Sequence, residues 1–181
     1  MTTMLEVRHL GKRFGGLTAL EGVSFEVAAG SNVEPHKNLR AALTALEQIY
    51  RPLRISPAYR NQAVGFAGDD FINLVVGFGT DDPVTYVRQQ LQRIEALCGR
   101  PPGAPKWAPR TMDLDILLYG DQVSSESGLV LPRPDLLRRS YMLKPMVDIA
   151  PQVMHPVLHR TMRELWEAFD AAGHEMTQID L

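Results

Sequence analysis

One cysteine, Cys98, is all the chain contains, which excludes an intrachain disulfide and any zinc site built on cysteines. Long apolar runs are missing as well, and nothing approaches a membrane span. Met1 to Gly16 carries charges throughout and no apolar core of signal-peptide length, so a soluble cytoplasmic protein is expected. Nor does either sign of charge dominate: 19 basic and 21 acidic residues leave a net charge of −2. That balance argues against nucleic acid held by bulk electrostatics. No internal repeat or low-complexity tract breaks the sequence. What remains is 181 residues with 45% hydrophobic content, enough for one domain with a real core and a small appendage.

The most informative stretch runs Trp107-Ala108-Pro109-Arg110-Thr111-Met112-Asp113-Leu114-Asp115-Ile116-Leu117-Leu118-Tyr119. Its second half reads as a strand, closed by a turn at Gly120-Asp121. Side chains alternate along a strand, so Asp113 and Asp115 share one face while Met112, Leu114, Ile116 and Leu118 share the other. An Asp-x-Asp triplet has two readings: a metal-binding pair, or two solvated aspartates on the wet face of an edge strand. Leu117 also lies on the aspartate face, and a strand apolar on both sides is expected to be central. There, unpaired carboxylates would cost several kcal/mol unless a cation compensates them. Two Mg²⁺ ions about 4 Å apart would fit between the carboxylates, with Arg110 three residues upstream to grip phosphate.

The rest of the chain supplies a frame. A strand is expected from Val23, then a helix with Glu34 or Asn32 near its cap, Pro35 in its first turn, and Leu39, Leu43, Leu46 and Ile49 as its apolar stripe. Leu53 to Tyr59 reads as a strand, 61–70 as a loop and Phe71 to Phe78 as a strongly apolar strand. Asp82-Pro83 opens a second helix with Val84, Val87, Leu91 and Ile94 inward and Gly99 as its stop. After the aspartate strand come a polar loop over 121–128, a short strand at Leu129 to Leu131, and a proline-rich tail with one helix, Met162 to Phe169. Counted from Val23, the order is β-α-β-β-α-β, an α+β fold with the split pattern of ferredoxin-like antiparallel sheets. Two helices would cover one face, leaving loops to build a site. Gln92, Glu95 and Arg100 at the end of the second helix, and Arg138, Arg139 and Tyr141 after the last short strand, can gather around the aspartates. Basic residues flanking a metal-binding pair suit a polyphosphate substrate. Taken singly, Arg138 and Lys144 read as solvated surface charges.

Two family resemblances follow from these motifs. Leu5-Glu6-Val7, Gly11-Lys12-Arg13-Phe14-Gly15-Gly16 and Gly22-Val23-Ser24-Phe25-Glu26-Val27 resemble the opening hairpin of ABC-transporter ATPase subunits. A Gly-rich phosphate loop should follow, and Ser31-Asn32-Val33-Glu34-Pro35 is nothing like one. From Gly30 to about Phe169 the chain resembles the hydroxymethyldihydropterin pyrophosphokinase family. The matching motifs are Gly30-Ser31-Asn32, Ser56-Pro57-Ala58-Tyr59-Arg60, Phe71-Ile72-Asn73, Gln92-Arg93-Ile94-Glu95 and Trp107 to Asp115, followed by Leu131-Pro132, Arg139, Tyr141-Met142-Leu143 and Ile149-Ala150-Pro151.

This second resemblance implies transfer of pyrophosphate from ATP to the hydroxymethyl of a reduced pterin, with AMP released. It implies two Mg²⁺ ions on Asp113 and Asp115, with Arg100 and Arg110 steadying the transferring group. Gln92, Glu95, Trp107, Arg110, Ile116, Arg133 and Arg139 would form the ATP site. Asn61, Val64, Phe71, Asn73 and Tyr141 would form the pterin site, the ring between Phe71 and Tyr141. Its partners would be small molecules alone, with no membrane and no nucleic acid, and the chain a monomer or weak homodimer. The sequence departs from the family at Asn61-Gln62-Ala63, where a proline-rich segment is usual, at Arg133-Pro134, where a histidine is usual, and at Gly128 and Val130, which replace polar contacts. Residues 1–22 form an extension, and 23–181 the pyrophosphokinase domain. Two other readings compete: a nucleotide-binding or regulatory fragment of a transporter ATPase, which lacks its phosphate loop, and an RNA-binding module, which the acidic balance opposes.

Overall fold

The structure is a computed structural model that describes residues 23–65, 68–101, 103, 109–126 and 128–181. Most of the transporter-like hairpin, and Trp107 with it, therefore lies outside the described residues. The sheet is built on β1 (Val23–Ser31), which is hydrogen-bonded antiparallel on both sides, to β4 (Phe71–Thr80) and β5 (Asp113–Tyr119). Phe25, Val27 and Ala29 point into one core, beneath α1 (Pro35–Ile49) and α2 (Val84–Leu97). Ala28 points into the other. On that second face Ala28 and Gly30 are small enough to floor a cavity above the sheet.

Beyond β4 the strand expected over Leu53 to Tyr59 is two pieces, β2 (Arg54–Ile55) and β3 (Ala58–Asn61). The break falls at Ser56-Pro57. Pro57 has no N–H to give, and the Ser56 hydroxyl accepts the Val75 N–H at 2.9 Å while the Ser56 N–H donates to the Val75 carbonyl at 3.0 Å. β8 (Thr177–Ile179) extends the sheet past β3, giving the order β5-β1-β4-β3-β8 with β2 also on β4.

This order corrects one expectation: β5 is an edge strand, not a central one. It is apolar on both faces because helices cover both. Its outer backbone is satisfied by other means: the Leu114 N–H donates to Glu95 at 2.8 Å, and the Leu117 carbonyl accepts from the Arg133 N–H at 2.9 Å.

The helical stripe of α1 is Leu39, Ala42 and Leu46, with Leu43 half-buried; Ile49 is exposed, against expectation. Glu34 precedes α1 in the left-handed region (φ 43) and makes no side-chain cap, pairing instead with Lys37. In α2, Val84, Val87, Leu91 and Ile94 are buried as expected, and Gly99 follows with φ 81. The loop expected over 121–128 holds a short strand, β6 (Ser124–Glu126), paired with β7 (Leu129–Leu131).

The second face is not left to loops. A 3-10 turn at Pro134–Leu137 leads into α3 (Ser140–Ile149), and α4 (Met162–Glu167) follows, two residues shorter than expected. Met142, Leu143 and Met146 of α3 pack with Leu165, Val75 and Leu117. Pro145 sits inside α3, which is why its sequence reads as irregular. α4 starts with a capping box: the Thr161 N–H donates to Glu164 at 2.7 Å and the Thr161 hydroxyl accepts the Glu164 N–H at 3.2 Å. Among the described residues, no helix is long and apolar enough to cross a membrane.

Candidate active site

Pairing across β1 sets the positions of the two aspartates. Asp113 lies opposite Gly30 and Asp115 opposite Ala28, so both carboxylates stand on the face that α3 covers only in part. Each is half-buried and neither is left without a counter-ion. Arg100 reaches Asp113 and Glu95, Arg110 reaches the other oxygen of Asp113, and Arg133 Nη1 lies 2.9 Å from Asp115 Oδ1. Even so, burial and the neighbouring Asp113 charge push the Asp115 carboxyl up to about 7, against the pull of Arg133. Burial raises Glu95 as well, opposed by its bonds from the Leu114 N–H and Arg100. Burial alone would lower Arg100, but Asp113 and Glu95 outweigh it and hold its pKa above the ordinary value.

Behind this charge cluster is a backbone clamp that sequence reading missed. The Asn32 side chain accepts the Arg110 N–H at 2.7 Å and donates to the Asp69 carbonyl at 3.2 Å. The Ser31 hydroxyl donates to the Thr111 carbonyl at 2.7 Å, and the Asn32 N–H to the Arg110 carbonyl at 3.0 Å. Ser31 and Asn32 are both buried. The Gly30-Ser31-Asn32 turn thus fixes where Arg110 enters β5 and ties it to the loop before β4.

Two cavities open beside the aspartates. The first, about 200 Å³, is floored by Ala28 and Gly30 and walled by Asn61, Val64, Phe71, Asn73, Arg110, Arg139 and Tyr141. Asn73 donates to Asn61 at 2.6 Å, which orients both amides at the pocket wall. The second, about 210 Å³, runs along the outer edge of β5, since Leu114 and Ile116 line it from one face and the aspartates from the other. Gln92, Glu95 and Arg100 line it too, with Gly128 and Val130 opposite. Asp113, Asp115 and Arg133 line both.

All five residues expected around a pterin fall in the first cavity, and Gln92, Glu95 and Ile116 fall in the second. Arg139, grouped by sequence with the second set, lines the first. Arg138 is exposed, as its reading as a surface charge has it, but Lys144 is half-buried and paired with Asp148. Arg88 was missed. It lines the second cavity beside Gly128, where a Cβ would come within 3.2 Å of its guanidinium. Its signal was present in the helical spacing 88, 92, 95, which puts it on the face of Gln92 and Glu95.

Comparison with known proteins places the fold first. The chain is similar in structure to an HPPK-DHPS crystallised in complex with substrates, with a TM-score of 0.60 at 13% identity, covering 81% of this chain and 43% of that one. It is similar likewise to wild-type Plasmodium falciparum HPPK-DHPS with STZ-DHP, with a TM-score of 0.62 at 15% identity and the same two shares. The chain thus spans less than half of those proteins, and the likeness is one of mixed α+β fold.

Sequence comparison then gives the family. Residues 26–151 match the model for 7,8-dihydro-6-hydroxymethylpterin-pyrophosphokinase (HPPK), and the chain belongs to that family of pyrophosphokinases. The 2-amino-4-hydroxy-6-hydroxymethyldihydropteridine pyrophosphokinase of Pseudomonas aeruginosa is 37% identical over 134 residues, covering 72% of this chain and 82% of that protein. Its counterpart in Aquifex aeolicus is 32% identical over 137 residues, covering 75% and 85%.

Proposed function

We propose that the chain transfers the pyrophosphoryl group of ATP to the hydroxymethyl group of 6-hydroxymethyl-7,8-dihydropterin, giving the diphosphate ester and AMP in folate biosynthesis. One observation carries this reading: two cavities of different lining meet at a wall made of Asp113, Asp115 and Arg133. Transfer between two substrates needs their reacting atoms to meet at one charged point, with each held on its own side. In the first cavity Phe71 and Tyr141 supply aromatic surface for a pterin ring, and the Asn61–Asn73 amide pair supplies donors and acceptors for its polar edge. In the second, Gln92, Glu95, Arg100 and Ile116 line the path for a nucleotide, with Arg133 toward its phosphates; Trp107 and Arg139 belong to this set by sequence, Arg139 reaching it from the wall of the first cavity.

The carboxylate pair fits magnesium. Both groups are hard oxygen donors on one strand face, and burial raises the cost of charge on Asp115. Among the described residues, no group of three or more His, Cys, Asp or Glu side chains is placed to hold a metal ion, so phosphate oxygens and water would complete the coordination. Two Mg²⁺ ions on Asp113 and Asp115 would supply charge neutralisation at the β-phosphorus and a more acidic substrate hydroxyl. Around that point, Arg100 and Arg110 leave Asp113 for the phosphoryl oxygens, where charge develops as the α–β bridge breaks. Asn32 and Ser31 hold the Arg110 backbone fixed while its side chain moves.

We read the core as ferredoxin-like, since β1, α1, β2 with β3, β4, α2 and β5 follow the β-α-β-β-α-β order. The domain is taken as residues 23–181, working as a cytoplasmic monomer or weak homodimer. The deciding experiment is incubation with MgATP and the hydroxymethyldihydropterin, with the nucleotide product identified by chromatography. AMP is the expected product. ADP alone, or no pterin-dependent turnover, overturns the reading.

A further inference from the structure

Arg133 lines the nucleotide cavity, yet in this structure its guanidinium is held by Asp115. Its backbone is anchored: the N–H donates to Leu117 at 2.9 Å, between Pro132 and Pro134. Its side chain is not anchored to the same degree. Nη1 lies 2.9 Å from Asp115 Oδ1, while the buried Nε has no hydrogen-bond partner and only the Asp135 carboxylate near it at 3.5 Å. The guanidinium therefore grips Asp115 by one arm of a fork built for two. It is also the only basic residue among the three that line both cavities. Among the described residues Asp113 pairs with two arginines, Arg100 and Arg110, whereas Asp115 pairs with Arg133.

We propose that Arg133 is a displaceable counter-ion for Asp115. In the ligand-free protein its guanidinium neutralises the carboxylate from the place a divalent cation would take. A guanidinium and a divalent cation cannot share that oxygen at close range without strong repulsion. Cation binding therefore expels Arg133, and the second cavity, which it already lines, receives the freed fork beside the incoming phosphates. Free divalent cation binds weakly as a result, and the metal enters with its nucleotide. This inference rests on the pyrophosphokinase reading of the site, which makes the second cavity the one for nucleotide.

The test is titration of the full chain with Mn²⁺, read by electron paramagnetic resonance of the free ion, in the absence of nucleotide. Arg133→Gln should bind Mn²⁺ on the order of tenfold more tightly than wild type, since it removes one positive charge a few ångströms away. Arg133→Lys keeps the charge and should stay near wild type. Both variants should bind the magnesium complex of α,β-methylene-ATP on the order of tenfold more weakly by calorimetry, because neither offers the fork. Asp115→Asn should remove the Mn²⁺ gain when combined with Arg133→Gln. Equal Mn²⁺ affinity in wild type and Arg133→Gln overturns the proposal, as does a tightening that Arg133→Lys shares. If the Gln variant does not fold by circular dichroism, wild type against Arg133→Lys still decides: a large Mn²⁺ difference between these two contradicts a charge-based lock. Failure of the wild type to form AMP would overturn the enzymatic reading separately, and the Mn²⁺ comparison does not depend on it.

Discussion

Asn73 rests its side-chain amide over Gly30, the residue directly opposite it in the β1–β4 pair. A Cβ at residue 30 would collide with Asn73 Oδ1, so glycine here is a requirement of the neighbour and not of the backbone. Gly30→Ala should push Asn73 away from Asn61 and break the buried bond between them. The expected outcome is pterin affinity reduced at least about tenfold, with nucleotide affinity unchanged, by calorimetry on each ligand separately. Unchanged pterin affinity would put that ligand elsewhere.

The aspartate pair is the most direct target. Asp113→Asn and Asp115→Asn keep shape and remove charge, so each should fold and lose turnover by at least about a hundredfold. Single-turnover rates in saturating Mg²⁺ measure this. Rates near wild type in both variants would remove the pair from the chemistry.

Asp115 also predicts a pH dependence for the metal-free protein. Its folded pKa, about 7, lies above the ordinary value of 3.8, so the folded state holds a proton that the unfolded chain has lost between those limits. The stabilisation is fully present below about 3.8 and is lost as pH rises through 7. Asp115→Asn should therefore lose less stability than wild type between pH 4 and pH 7 and be the more stable protein at pH 8. Urea midpoints across that range, compared between the two proteins, check the sign. Mg²⁺ with ATP should narrow the difference by stabilising only the protein that binds it.

Legibility in the sequence divided along physical lines. α1, α2 and the first half of β5 were legible because burial imposes a period of 3.6 or two on side chains; past Ile116 a bulge breaks the period, and Leu118, expected on the face of Leu114 and Ile116, packs on the other. The carboxylates were legible because two charges interrupt an apolar strand. α3 was hidden by Pro145, which a helix bears only when packing of Met142, Leu143 and Met146 outweighs a lost hydrogen bond. The edge position of β5 was hidden because two layers of helix make an edge look central. The Asn32 clamp could not have been read at all: its partner Arg110 is 78 residues away, and the bond is to backbone, which leaves no mark on composition.

The start of the domain yields the last prediction. Deleting Met1 to Glu21 should leave folding and AMP formation intact, because the family match begins at residue 26 and every matching motif lies at or beyond Gly30. Deleting through Ala29 is a different matter. β1 lies between β4 and β5 and makes hydrogen bonds to both, so its removal leaves two inner edges unpaired. It also takes Phe25 and Val27, both fully buried, out of the core beneath the helices, at a cost of about 3 kcal/mol or more in lost burial. Asp115 would lose Ala28, its partner across the strands. The two truncations should be compared by soluble yield, thermal unfolding and pterin-dependent AMP formation. Equal damage from both would mean that residues 1–21 belong to the folded core, and the boundary at Val23 would have to move toward the N-terminus.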